Sequence, residues 1–356
     1  MKINSDAYKG LKVLVTGATG FKGSWLIHWL KLMGAEVRGF GLSPESDPNL
    51  YESLKNNVSG DLQIKNILDR EYLHELMSGF KPVLVFHLAA QPLVSVSYED
   101  PRDTHMTNIF GLINLLEELR VSDSVRAAAI ITSDKCYSTE YGKRKFKEDD
   151  PMGGMDPYSA SKACAEIITK SYYNSFFREK PAAFATLRAG NIIGGGDWSR
   201  DRLIPDIVRS LTSGRKIVLR NPDSVRPWQH VLDALSGYLI TAEMMMTGKL
   251  SGLNSFNFGP SLKTDYTVLK IAEDFAGKFF GDKFEIELRK PDFAETDYLR
   301  LDSSKSSDVL GWKSCWDTGK SLEKTADWYK RFYGGKETSS DICTEQIEDY
   351  LNDINN

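Results

Sequence analysis

The stretch from Leu11 to Leu42, LKVLVTGATGFKGSWLIHWLKLMGAEVRGFGL, constrains the fold more than any other part of the chain. It predicts a strand, a turn with three glycines, an amphipathic helix and a second strand. In such a turn Gly17 permits the tight bend, Gly20 lets the backbone approach a pyrophosphate, and Gly23 allows close helix packing. The pattern therefore predicts a dinucleotide-binding site with the phosphates at the start of the helix.

The second strand, which ends in VRGFGL, does not identify the dinucleotide. It carries no Asp or Glu to bind the adenosine ribose, and Arg38 stands too early in the strand to reach a 2′-phosphate. The residues alone leave NAD and NADP both open.

Strands and helices continue to alternate after this unit. LQIKNIL, PVLVFHLAA and RAAAIITS have the composition of strands, whereas DREYLHELMSGF and NIFGLINLLEELRV have helical periodicity. Strands separated by helices imply right-handed crossovers and a parallel sheet covered on both faces. The sequence predicts an α/β fold with a Rossmann-type, doubly wound parallel sheet.

Composition narrows the class of partner. The chain has 356 residues, is 41% hydrophobic and carries a formal net charge of −4, without a long Lys/Arg block, which argues against nucleic acid. No segment approaches the roughly 18 uninterrupted apolar residues of a membrane helix. Four scattered cysteines and five histidines show no metal-binding spacing, so no metal is expected. We expect a cytoplasmic protein with neither a membrane nor a nucleic-acid partner.

Three reactive side chains follow a strand directly in TSDKCY, residues 132–137. Ligands bind at the carboxyl ends of parallel strands. The hydroxyl of Ser133, the carboxylate of Asp134 and the amine of Lys135 are therefore expected to face a ligand.

A second reactive pair lies in DPYSASKACAEIITK, where Tyr158 and Lys162 are four residues apart at the start of a predicted helix. This spacing places both side chains on one helical face. We expect the ammonium to favour the phenolate and to lower the pKa of Tyr158 from its usual value of about 10. Such a tyrosine can take a proton from an alcohol while hydride leaves the same carbon.

Together these motifs resemble the extended short-chain dehydrogenase/reductase family. FKGSWL, HLAAQPLV, TSDKCY, DPYSASK, RAGNIIGGGDW, DRLIPD and RPWQHVLDALSGYL are similar to its CDP-glucose 4,6-dehydratase branch, from about Leu11 to Tyr333. In this branch Asp-Lys stands where related dehydratases most often carry Asp-Glu.

The resemblance implies conversion of CDP-D-glucose to CDP-4-keto-6-deoxy-D-glucose and water through tightly bound, recycled NAD, as in bacterial deoxysugar and O-antigen lipopolysaccharide pathways. Tyr158 would take the proton of the 4-hydroxyl while Ser133 steadies the oxidation. Lys135, or a group that it orients, would remove the C5 proton, and Asp134 would protonate the leaving 6-hydroxyl. A nucleotide-sugar 4-epimerase, a dehydratase of a dTDP, GDP or UDP sugar, and a non-catalytic dinucleotide sensor remain as alternatives.

The family motifs also imply binding residues. Besides Tyr158 and Lys162, the expected cofactor contacts are Gly17, Thr19, Gly20, Phe21, Lys22, Gly23, Asn66, Ile67, Leu88, Ala89, Ala90, Gln91 and Asn108. The expected substrate contacts are Asn191, Arg202, Leu203, Arg220, Arg226, Gln229 and Tyr298. Trp228 is predicted to pack in the core and His230 to cap a buried helix.

We expect three parts in the chain. Residues 1–188 with about 231–260 are predicted to bind NAD, and about 189–230 with 261–334 to bind the nucleotide sugar. Residues 335–356 form an acidic tail that is expected to be a detached helix or disordered. The helices near 104–120 and 157–178 are expected to pair in a four-helix seam of a homodimer or homotetramer, as in the family.

Overall fold

Seven parallel strands form the central sheet of the protein, in a computed structural model that describes residues 2–58, 62–142, 144–260, 266–290 and 298–355. The sheet strands are β1 (Lys12–Thr16), β2 (Glu36–Gly41), β3 (Leu62–Ile64), β4 (Leu84–His87), β5 (Ala127–Ile131), β7 (Ala183–Ala189) and β11 (Leu253–Phe258). Six shorter strands complete the set: β6 (Lys145–Phe146), β8 (Ile192–Ile193), β9 (Ile217–Leu219), β10 (Gln229–His230), β12 (Ile286–Leu288) and β13 (Arg300–Leu301).

The strand order in the sheet is β3-β2-β1-β4-β5-β7-β11. The order reverses between β1 and β4, which pair in parallel from Val13 opposite Leu84 to Thr16 opposite His87. A crevice for a ligand opens at the carboxyl ends of such a pair. The predicted Rossmann-type, doubly wound α/β fold is confirmed.

Helices cover both faces of this sheet. They are α1 (Phe21–Leu32), α2 (Leu50–Val58), α3 (Arg70–Phe80), α4 (Val94–Glu99), α5 (Pro101–His105), α6 (Gly111–Val121), α7 (Pro157–Tyr172), α8 (Leu203–Thr212), α9 (Val231–Met246), α10 (Val268–Phe280), α11 (Ser304–Leu310), α12 (Thr318–Gly334) and α13 (Ser339–Asn355). On one side α1 packs against α2, α9 and α13, and on the other side α6 packs against α3 and α7. None of the described helices is long and apolar enough to cross a membrane.

The chain leaves the sheet after β7 and returns to it with α9 and β11. The excursion supplies β8, β9, β10 and α8, and β8 pairs in parallel with β10. The chain after β11 adds β12, which pairs in parallel with β9, and α10, which packs on α8. These elements stand beyond the carboxyl end of β7 and supply one side of the crevice.

The segment VLDALSGYLITAEMMMTG has a sequence that predicts an amphipathic helix, but the structure buries nearly all of α9. Its residues from Val231 to Ala242 are all buried. The sheet, α1 and α11 enclose it, and the indole of Trp312 donates a hydrogen bond to Asp233 O (3.2 Å). A helix enclosed in this way has no broad solvent-facing side.

The expectation of a detached or disordered tail is wrong. Helix α13 packs against α1, α2 and α12, and its residues Ile342, Ile347 and Tyr350 are almost completely buried. The Tyr350 hydroxyl donates to Asp233 Oδ1 (2.9 Å). Although the segment is acidic in composition, it carries an apolar stripe at helical spacing, and this stripe packs α13 against the rest of the protein.

Candidate active site

A cleft lies at the carboxyl edge of the sheet, between β1, β4 and β5 on one side and the segment after β7 on the other. Most of the predicted catalytic and substrate-binding side chains line it. The predicted residues in its lining are Lys22, Leu88, Ala90, Ser133, Asp134, Lys135, Tyr158, Lys162, Asn191, Arg202, Leu203, Arg220 and Arg226.

The glycine turn after β1 has the geometry that a bound pyrophosphate requires. Gly17 has a φ of +71°, and a Cβ there would lie 2.6 Å from Ala89 N. A Cβ on Gly23 would lie 2.1 Å from Gly17 O, so α1 can approach the turn only with glycine at that position. Gly20 caps α1 without a side-chain hydrogen bond, which leaves the helix amides to an anion. The turn fits a dinucleotide.

The adenosine end of this site is bounded by neutral groups. Leu42, just after β2, is 57% exposed, and Thr19 Oγ1 donates to its carbonyl oxygen (2.7 Å). Arg38 stacks over the ring of Phe80 (4.8 Å to the ring centre), away from the carboxyl end of the strand. Asn66 is exposed, and its Oδ1 accepts from Leu68 N (2.9 Å).

Several other residues that the sequence predicts as cofactor contacts lie outside the lining of the cleft. Ile67 is buried against Gly111. Asn108 lies in a π-helical turn, Met106–Phe110; its Oδ1 accepts from Gln91 N (2.7 Å) and its Nδ2 donates to Ser161 Oγ (2.8 Å). Asn108 thus joins the loop after β4 to helix α7. Phe21, Ala89 and Gln91 also lie outside the cleft lining.

The segment after β5 turns the three reactive groups into the cleft. Ser133 caps a short 3₁₀ turn, Asp134–Cys136; its Oγ accepts from Lys135 N (3.2 Å) and donates to Asp134 Oδ1 (3.0 Å). Asp134 is only 2% exposed, and its Oδ2 has no partner among the described residues. Burial raises the pKa of Asp134, against the opposing effects of Lys135, Ser133 and Arg226. A carboxyl with a raised pKa is suited to donate a proton.

Tyr158 and Lys162 lie on α7, which begins at Pro157 with Asp156 as its cap. Burial raises the pKa of Tyr158 to about 12, although a hydrogen bond with the Ser133 hydroxyl lowers it. The expectation that Lys162 lowers the pKa of Tyr158 is wrong for this structure, since desolvation dominates and Lys162 Nζ donates to Ile131 O (3.3 Å). Burial also lowers the pKa of Lys162 to about 8.

Arginines line the opposite side of the cleft. Arg202 Nη1 contacts Asp197 Oδ2 at 3.3 Å, and Arg220 Nη2 contacts Asp201 Oδ1 at 2.8 Å. Arg226 is 5% exposed and near enough to Asp134 to lower the pKa of that carboxyl. This side suits an anion such as a diphosphate.

Two predicted substrate residues do not line the cleft. Gln229 is completely buried, and its Nε2 donates to Phe258 O (2.6 Å), so its amide serves the core. Tyr298 forms a backbone bridge with Val225 outside the lining. His230 caps α9 through Nδ1, which accepts from Leu232 N (3.3 Å), as predicted, whereas Trp228 is buried and also lines the cleft.

Sequence reasoning missed two acidic residues of the cleft lining. Asp197 and Asp201 line the cleft as partners of the arginines, and their interleaving in GDWSRDR was the available signal. The predicted contact Lys22 also has an unexpected character: burial, together with the charges of Lys162 and Arg202, lowers its pKa to about 7. No spacing rule would have shown that convergence of cations.

Comparison with known proteins agrees with this arrangement. Residues 14–325 match the model of the family described as GDP-mannose 4,6 dehydratase. The chain is 41% identical over 355 residues to the CDP-glucose 4,6-dehydratase of Salmonella typhimurium, with 98% of each chain covered.

Solved structures share the fold. A UDP-glucose 4-epimerase from Thermotoga maritima, determined with UDP-glucose, has a TM-score of 0.78 at 22% identity and covers 91% of this chain and 100% of its own. A dTDP-glucose 4,6-dehydratase from Bacillus anthracis, determined with NAD, has a TM-score of 0.75 at 22% identity and covers 90% and 97%.

The parallel sheet, the glycine turn, the Ser133 strand end and the pair on α7 define an extended short-chain dehydrogenase/reductase, as the motifs predicted. Within that class, the chain belongs to the GDP-mannose 4,6 dehydratase family.

Proposed function

We propose that the protein converts CDP-D-glucose to CDP-4-keto-6-deoxy-D-glucose and water by internal hydride transfer through bound NAD. Two findings support the proposal: the 41% identity over nearly the whole chain to a CDP-glucose 4,6-dehydratase, and the position of Asp134 and Lys135 in the same cleft as Tyr158. The position of Asp134 and Lys135 is the observation that favours dehydration, because an oxidation alone does not need an additional acid and base.

The residues around α1 and β4 would hold the cofactor. The pyrophosphate would lie at the amides after Gly20, and Leu88 and Ala90 would border the path toward Tyr158. When bound, NAD supplies a hydride acceptor for C4 and, once reduced, the hydride donor for C6. NAD is favoured because a dehydratase of the same fold was determined with NAD.

Tyr158 would take the proton of the 4-hydroxyl. Its raised pKa makes it a strong base once deprotonated, and the neighbouring Ser133 hydroxyl lowers that pKa against the effect of burial. The ammonium of Lys162, below its pKa of about 8, adds a positive charge on the same helical face.

Dehydration would follow on the neighbouring turn. A ketone at C4 acidifies C5, and Lys135 or a group that it orients would remove that proton. Asp134 is nearly fully buried, and burial raises its pKa, which favours its acid form as the proton donor to the leaving 6-hydroxyl. The group that took the C5 proton would return it as C6 is reduced, so the reaction would consume no external oxidant or reductant.

The test is to offer the purified protein CDP-glucose, dTDP-glucose and UDP-glucose separately and to follow the 4-keto-6-deoxy product. We expect a clear preference for the CDP sugar. A preference for the dTDP sugar would overturn the substrate assignment, and a 4-epimer formed without loss of water would overturn the reaction type.

We further propose that residues 1–188 with about 231–260 bind NAD and that about 189–230 with 261–334 bind the sugar nucleotide. The departure of the chain from the sheet after β7 and its return with α9 support this division. All four cysteines are free thiols, which supports a reducing, cytoplasmic location.

A homodimer through a four-helix seam, or a tetramer built from it, also belongs to the proposal. Large apolar side chains are exposed along α6 and α7 and the π-helical turns beside them, including Phe110 (51%), Ile167 (58%) and Phe176 (48%). An Ile167→Glu variant should yield monomers in light scattering, whereas Val309→Glu, at an exposed apolar site on α11, should not.

A further inference from the structure

Buried hydrogen bonds hold the catalytic segment 132–137 at both of its ends. At the start, Thr132 Oγ1 donates to Glu166 Oε1 on α7 (2.5 Å). At the end, the Tyr137 hydroxyl donates to Asn257 Oδ1 on β11 (2.7 Å). Ser133, Asp134 and Lys135 project into the cleft between these two fixed points.

One guanidinium connects the two ends. Arg188 on β7 donates from Nε and Nη2 to the two carboxylate oxygens of Glu166, each at 2.8 Å. Its Nη1 donates to the Tyr137 hydroxyl (2.7 Å) and to Glu148 O (2.9 Å). Arg188 is 2% exposed and Glu166 is 6% exposed, so the group is sealed from solvent behind the cleft.

Stability alone does not explain a buried ion pair at this place. Removing two charges from water is costly, and well-packed apolar residues of similar volume often serve a core as well or better. The pair instead touches both anchors of a non-regular turn. Glu166 also stands one helical turn after Lys162, and its charge raises the pKa of Lys162 against the lowering effect of burial.

We propose that Arg188, acting through Glu166 and Tyr137, is a positioning residue that fixes Ser133, Asp134 and Lys135 for the dehydration chemistry. The inference rests on the proposed function and extends it to residues outside the cleft. A displacement of about 1 Å in a reacting group can cost about 100-fold in rate, so loss of either anchor should be visible in turnover.

The first test replaces the ion pair as a whole. The double variant Arg188→Met with Glu166→Met removes both charges of the ion pair together, so it should fold and bind NAD like the wild type. We expect turnover of CDP-glucose to fall about 100-fold, in kcat rather than in KM. A double variant with unchanged kcat would overturn the proposal.

The second test uses single substitutions that each remove one hydrogen bond, and it applies even if the double variant does not fold. Tyr137→Phe releases the end of the segment next to Lys135, and Thr132→Val releases the end next to Ser133. Matched controls are Tyr8→Phe, which removes a buried hydrogen bond to Leu239 O (2.5 Å), and Thr186→Val, which removes a partly buried hydrogen bond with Ser255 Oγ (2.8 Å).

The measurement is the amount of enzyme-bound NADH relative to the 4-keto-6-deoxy product in a single turnover. The melting temperature of each variant is measured as well. For Tyr137→Phe we expect NADH to accumulate at least tenfold over wild type, while both controls divide the turnover as wild type does. If Tyr137→Phe and Thr132→Val divide the turnover as the controls do, the positioning role is wrong. A wild-type protein that dehydrates none of the three sugars would instead overturn the proposed function, and the role of Arg188 with it.

Discussion

The two sides of the cleft are held by different kinds of interaction. Behind the catalytic turn, Glu166 and Arg188 form a bidentate pair whose side chains are 5% and 3% exposed. Across the cleft, Arg220 and Asp201 pair at 2.8 Å with side chains that are 39% and 24% exposed.

Under the proposed function, this difference separates the residues of the chemical steps from those that bind the substrate. Breaking a buried pair by removing one partner typically costs about 3–5 kcal/mol, whereas an exposed pair contributes about 0–1 kcal/mol. Under the proposed function, the catalytic side is therefore built before substrate arrives, and the binding side can exchange a carboxylate for a diphosphate at little cost. Variants on the first side should change rates, and variants on the second side should change affinity.

The largest effect is expected for Tyr158→Phe. Without the phenolic proton acceptor, oxidation at C4 should fall by about 10³- to 10⁴-fold, while cofactor and sugar still bind. The measurement is reduced cofactor formed in a single turnover, together with dissociation constants for both ligands.

Tyr173→Phe is the matched control, because Tyr173 is a buried tyrosine that follows α7 and packs edge-on against Phe184 (5.7 Å between ring centres). Normal turnover by Tyr158→Phe would show that Tyr158 and Lys162 have a structural role only. The two sides of the cleft would then not differ in chemistry and binding.

Lys135→Ala and Asp134→Asn should separate dehydration from oxidation. Both leave Tyr158 and Lys162 in place, so hydride should still leave C4, whereas loss of water should slow by about 10²- to 10³-fold. Bound NADH, product and entry of solvent deuterium at C5 are the measurements, with the exposed Lys147→Ala as control. Product at the wild-type rate from Lys135→Ala would leave Lys135 as a charged neighbour only.

Proton removal by Tyr158 and proton donation by Asp134 should depend on pH in opposite directions. The phenolate of Tyr158, whose pKa is raised to about 12, becomes more abundant as pH rises, so oxidation should speed up by at most about tenfold per pH unit. The acid form of Asp134 persists above the usual range because burial raises its pKa, but it declines with increasing pH. Bound NADH should therefore accumulate at alkaline pH, and equal slopes for both steps would contradict the assigned roles.

The catalytic side was largely predictable from the sequence, because local rules determine it. Chain periodicity placed Ser133 at a strand end and put Tyr158 and Lys162 on one helical face. The pKa of Tyr158 was not predictable, since it depends on burial that forms only when the sheet, α7 and the segment after β7 meet.

For the binding side, the sequence predicted which residue types line the cleft but not which side chains pair with one another. The sequence predicts the arginines as anion ligands, yet nothing in the spacing indicates that Arg220 contacts Asp201 or that the Gln229 side chain points into the core. Those partners are distant in the chain and chosen by tertiary packing. The same reason explains α13, whose acidic composition suggested disorder although its apolar stripe packs on α1.

The smallest expected effect comes from the exposed pair itself. If Arg220 moves from Asp201 to the diphosphate, Arg220→Ala should raise KM for the CDP sugar about tenfold with little change in kcat, the scale of one hydrogen bond to a charged group. Asp201→Asn removes the competing charge and should lower KM by a few-fold.

Arg215→Ala is the control, since Arg215 is exposed and hydrogen bonds Ser213 Oγ (2.8 Å) outside the cleft. Initial rates over a range of substrate concentrations give both constants. If Asp201→Asn instead lowers kcat and leaves KM unchanged, this pair shapes the reacting geometry as the buried one does, and the two sides of the cleft do not divide chemistry from binding.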